Sequence, residues 1–63
     1  MSWVWVLLDG AESETGRSEE FDDREVAEAW MGERWPDLAA SGVQLVALLE
    51  DGDEAYRMSL EAG

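Results

Sequence analysis

A chain of 63 residues forms one domain, residues 1–63, with a marginal core, because so short a chain buries only about 60% of its unfolded surface. It has no Cys and no His, which excludes a disulfide framework and the usual zinc sites. Sixteen Asp and Glu stand against four basic residues, a net charge of −12, and this lacks the basic footprint that nucleic acids or anionic membranes require.

Hydrophobic residues make up 46% of the chain and include four Trp, which argues for globular folding despite the charge. All the basic residues are Arg, and Lys, Ile and Asn are absent, the signature of a G+C-rich genome. The apolar run Trp3–Leu8 is too short and lacks the basic flank of a secretion signal. A cytoplasmic protein is expected, where a lack of Cys is unremarkable.

The first element is Ser2–Leu8, SWVWVLL, apolar on both faces and rich in β-branched and aromatic residues, which reads as a strand. Trp3, Trp5 and Leu7 point one way, and Val4, Val6 and Leu8 the other. Asp9–Glu20 is a polar connector with turn signals at Asp9-Gly10 and Thr15-Gly16. Its length favours a fold-back, with Arg17–Phe21 as a short strand flanking the first on its far side, over a plain loop.

Phe21–Trp35 reads as the one long helix. Asp22 caps it, with Glu25 completing an Asp version of the capping box and Phe21 and Val26 spaced as a hydrophobic staple. At about 100° per residue, Val26, Ala27, Trp30, Met31 and Leu38 share a broad stripe, with Trp35 at its edge. Core packing is the default role of Trp30. A break is expected at Trp35–Pro36, since Pro lacks an N–H and crowds the carbonyl of Gly32, with Gly42 free to close the turn that follows.

Val43–Leu49 and Glu54–Leu60 read as two more strands joined by a primed turn at Asp51-Gly52. A two-residue turn sets Ala47 opposite Tyr56, Leu45 opposite Met58 and Val43 opposite Leu60, all apolar. The other face then pairs Leu48 with Ala55 and Val46 with Arg57. The expected fold is α+β: a three- to four-stranded, mainly antiparallel sheet, β-(β)-α-β-β, with one helix packed on one face. A right-handed crossover through the helix joins the first and second main strands, and the third lies between them, order 1-3-2.

Little chemistry is encoded. Without Cys, His or Lys, a Ser has no usual base, and no phosphate-binding or dinucleotide motif is present. Asp51-Gly52-Asp53-Glu54 lacks the ligand spacing of a calcium loop. No enzyme activity, no cofactor and no metal site are expected.

The helix stretch Phe21–Trp35, the strand Gly42–Leu49 and the ending Tyr56-x-Met58-Ser59-Leu60 resemble those of short, acidic, uncharacterised proteins of actinobacteria, with Val26-Ala27-Glu28-Ala29-Trp30 a small departure at the helix position. The resemblance covers most of the chain, rests on packing motifs and brings no activity or functional residues with it.

Two functions fit these features. In the first, one helix covers one sheet face and leaves the other open, so the chain is a homodimer or protein-binding module joined through a sheet edge or through the open face, which carries either Trp3 and Trp5 or Val4, Val6 and Leu8, together with Val46 and Leu48, and Trp35 is a further candidate ring. Enclosure of both Trp3 and Trp5 by their own chain would remove that surface. In the second, an acidic patch of Glu12, Glu14, Glu19, Glu20, Asp22 and Asp23 binds a basic protein surface in the manner of a nucleic-acid mimic.

Overall fold

The place where the chain first turns back decides the topology. The computed structural model describes residues 2–60. Its elements are β1 (Trp3–Leu8), β2 (Glu14–Arg17), α1 (Arg24–Ala40), β3 (Leu45–Glu50) and β4 (Asp53–Ser59). The four strands form one antiparallel sheet in the order β2-β1-β3-β4. The α+β architecture is the expected one, and a fold-back strand does flank β1.

The strand order differs from the sequence expectation. β3, not β4, lies beside β1, with Trp5 opposite Leu48 and Leu7 opposite Val46. The reason is direction. The chain reverses at β2, so the helix departs from β2 and returns β3 parallel to β2 and antiparallel to β1. Such a strand can pair with β1 directly, and β4 is left at the edge. The regular part of the fold-back is Glu14–Arg17, not Arg17–Phe21. The chain still tracks β1 beyond it. The Ser18 N–H donates to the Trp5 carbonyl at 2.8 Å, and Phe21 and Trp3 exchange two backbone hydrogen bonds, each 2.8 Å.

The β3–β4 turn is the primed type, with φ of 51° at Asp51 and 91° at Gly52. Next to it the pairing is as expected, Glu50 opposite Asp53 and Leu49 opposite Glu54. The register then shifts: Leu48 faces Tyr56, Val46 faces Met58 and Ala47 faces Arg57, so Ala55 is left as a bulge. The extra residue moves Arg57 off the face that carries Val46 and Leu48, where a guanidinium would lie beneath the helix.

The helix starts one residue later than expected and ends later. Asp23 is the N-cap, and its carboxylate accepts from the Glu25 N–H at 2.8 Å. Val26 is exposed, so it does not staple to Phe21; Phe21 packs on Trp30 instead, ring centroids 5.9 Å apart. Pro36 does not break the helix, which runs on to Ala40. The carbonyl four residues back, which a Pro N–H cannot serve, belongs to Gly32, and Gly32 is exposed to water. Continuing the helix brings Leu38 and Ala39 onto the core. The C-terminus closes with a Schellman motif: Val43 N–H donates to the Leu38 carbonyl (3.0 Å) and Gly42 N–H to that of Ala39 (3.3 Å), with Gly42 at φ 104°.

The core lies between α1 and one sheet face. Trp5, Leu48 and Val46 are its largest fully buried side chains, joined by Trp3, Phe21, Ala27, Met31, Val43 and Leu60. Ala27 lets the helix approach closely, and the Trp5 indole N–H donates to its carbonyl at 2.7 Å, so the largest core residue also satisfies its polar atom. The Tyr56 ring meets Trp5 edge-on, at 5.9 Å and 88°.

Candidate functional site

Because α1 lies chiefly over β1, the outer strand β4 extends beyond its cover. Between them runs a groove of about 410 Å³. Trp5 and Met31 line its depth, and Tyr56, Met58 and Leu60 form the β4 wall. On the helix wall Glu28, Gly32 and Trp35 follow one another at spacings of four and three, which puts them on one helix face. Gly32 widens the groove: a β-carbon there would meet nothing within 4 Å. Trp35 at 43% and Met58 at 39% are among the most exposed large apolar side chains of the described residues.

Among the described residues one charged side chain, Glu28, lines the groove, and it is tied to its surroundings. Tyr56 Oη donates to Glu28 Oε1 at 3.1 Å, and Arg24 Nε lies 3.5 Å from the same oxygen. The Arg24 guanidinium carbon sits 5.4 Å from the Tyr56 ring centroid and 6.0 Å from that of Trp3. Partial burial, and then donation to Glu28, raises the Tyr56 pKa above its ordinary value. The phenol is therefore a donor at neutral pH.

The opposite sheet face has no helix, yet it is not an open apolar patch. Val6 and Leu8 are each 7% exposed and Ala47 only 3%. Leu45 and Leu49 pack against them, and long charged side chains stand on the same face. Arg57, opposite Ala47, donates to Glu54 Oε1 and, from Nη1, to Glu12 Oε1, both at 2.8 Å. That second bond links β4 to the loop after β1, so the pair reaches across β3. Arg17, opposite Val6, is held by both carboxylate oxygens of Glu14 at 2.9 and 3.1 Å. This contact lowers the Glu14 pKa and raises that of Arg17. A long arginine stem at such a place can lie along apolar surface while its head stays in water.

These contacts correct the sequence-derived surface. Trp3, Trp5, Val46 and Leu48 lie under the helix, so both tryptophans are enclosed by their own chain and none of the four is available on an open face. Val4 and Val6 do face away from the helix, but Val6 is covered and Val4 is half-buried. Trp35 alone among these candidates is a well-exposed aromatic. Sequence reasoning missed Met31, Gly32, Met58 and Leu60 as its companions. The usable signal was the spacing of Met31 and Trp35, four apart on one helix face, but the facing wall needed the Ala55 bulge to be known.

The acidic candidates are also partly committed. Glu12 pairs with Arg57, Glu14 with Arg17, and Asp23 caps the helix. Glu19, Glu20 and Asp22 are exposed. Among the described residues no group of three or more carboxylates is placed to hold a metal ion. Likewise, no helix among them is long and apolar enough to cross a membrane.

Fold and groove together define a four-stranded sheet covered by one helix, with an apolar recess along the side of that helix. Comparison of the chain with protein-family models, with curated proteins and with solved structures finds no match.

Proposed function

We propose that the chain is a small, non-enzymatic protein-interaction module that receives an apolar side chain of another protein in the groove between α1 and β4. The observation that carries this reading is the pairing of two exposed apolar side chains, Trp35 and Met58, on facing walls above a floor of core residues. Exposed Trp and Met at the mouth of an apolar recess are the side chains that dominate protein interfaces. An interaction role is thus retained, and its surface moves from the sheet face to the flank of the helix. The lining of the groove is chiefly apolar, and binding accounts for such a lining better than turnover does.

The acidic-regulator reading has less support. Three of its six carboxylates serve internal contacts, which leaves the net charge as its main basis.

The test is selection of binders from a random peptide display library against the purified chain. Binders that release from Trp35→Ala and Met58→Ala variants, both substitutions at exposed positions, support the groove. Binders that hold to both variants as tightly as to the original chain overturn it, and so does the absence of any binder.

A further inference from the structure

We infer that the segment received by the groove is basic: an apolar anchor residue flanked by arginine or lysine. The inference rests on the groove being a protein-binding site and adds the chemistry of its partner. It follows from what the groove lacks as much as from what lines it. Among the described residues its one charged lining side chain is Glu28. Arg17 and Arg57 are held on the opposite sheet face by Glu14, Glu12 and Glu54. Arg34 sits about 100° round the helix from Trp35. Arg24 is stacked on Trp3 and Tyr56. The wall formed by Trp35 and Met58 therefore presents apolar surface with no cation from the described residues, on a chain of net charge −12.

Arg24 shows what this surroundings accepts. Its guanidinium lies over an aromatic face with the Glu28 carboxylate beside it. The exposed Trp35 ring lies on the same helix face as Glu28, two turns on, and offers a second aromatic face that no side chain of the described residues is recorded to stack on. A basic segment can place its apolar residue between Trp35 and Met58 and lay a neighbouring cation over the indole. A second copy of this chain is a poor occupant, because each copy would bring the same large negative charge. An acidic segment meets the same repulsion, whereas a basic one is drawn in.

The experiment uses the full chain and a display library in which a central Leu, Met or Phe is flanked by random positions. Enrichment of Arg and Lys at the flanks is expected. The leading peptide, titrated into labelled protein, should shift the Trp35 indole N–H resonance. Its affinity should fall about tenfold or more between low and near-molar salt. Replacing the peptide's anchor by Ala should weaken binding about tenfold. Glu28→Gln, which keeps an acceptor for Tyr56, should weaken it severalfold. Gly32→Leu, which adds a side chain where there is open space, should block it without loss of folding.

Enrichment of neutral or acidic flanks, still dependent on Trp35 and Met58, would overturn the basic partner while leaving the groove as the binding site. Salt-indifferent binding would do the same. Basic peptides that bind without moving the Trp35 resonance would overturn both.

Discussion

The two faces of the sheet are almost equally apolar in sequence and are closed in opposite ways. One is roofed by a helix, with Trp5 as the central contact and its indole hydrogen bond fixing the approach at Ala27. The other is closed by side chains: Leu45 and Leu49 pack against Val6, Leu8 and Ala47, and Arg17 and Arg57, opposite Val6 and Ala47, are tied down beside them by ion pairs. The difference teaches that an apolar strand face without a layer above it is not thereby an interface. Where the strip is narrow, its own leucines and the long charged residues on its flanks suffice. Surface left open lies instead beside the helix, where neither kind of roof reaches.

The sharpest way to break this comparison is at Trp5. Trp5→Ala should cost about 3–5 kcal/mol, comparable with the whole stability of so small a domain, and should abolish cooperative urea unfolding. Trp5→Phe, which keeps a ring and removes the N–H, should cost less, about 1–2 kcal/mol. On the other face, Val6→Ala removes two methyl groups and should cost about 1.5 kcal/mol in the same experiment. If it cost as much as Trp5→Ala, the two faces would not be unequal in the way described.

A smaller effect tests the arginine roof itself. Arg57→Met keeps a long stem and should leave dye binding to exposed apolar surface unchanged. Arg57→Ser should raise it, and adding salt to the original chain should move it in the same direction more weakly. Equal behaviour of the two variants would show that the stem of Arg57 covers nothing.

The smallest effect lies at the groove end of the helix-covered face. Tyr56 has a folded pKa raised above its ordinary value of 10.0, so its contribution to stability is full below that pH. It is lost as pH rises from there through the folded pKa, as the unfolded chain ionises first. Tyrosinate absorbance against pH should therefore titrate later in the folded chain than in denaturant. Glu14 behaves in the reverse sense, its lowered pKa giving a contribution present above 4.5 and lost as pH falls through the folded value.

The α+β class, the Asp51-Gly52 hairpin, the doubly apolar first strand and the left-handed Gly42 were legible in the sequence, because each is a local pattern. The strand order was not. It depends on where within Asp9–Phe21 the chain pairs with β1, and that polar stretch has no apolar alternation to mark the register. Passage of the helix through Pro36 was illegible because the local rule against it is sound, and the outcome was decided by Leu38 and Ala39 reaching the core. Of the groove, only Trp35 stood out, since its partners Tyr56, Met58 and Leu60 are assigned to a face by a bulge that no residue type announces.

That bulge also bears on what the sheet edge offers to another chain. β4 is a rim of the sheet, and Ala55 interrupts its ladder close to the turn. Removing Ala55 would preserve every observed pairing from Tyr56 onward, so the fold should survive. The rim, however, would become smooth and continuous, a template on which another chain's strand could polymerise. A variant lacking this one alanine should therefore fold normally when dilute and form fibres or precipitate when concentrated, as followed by light scattering.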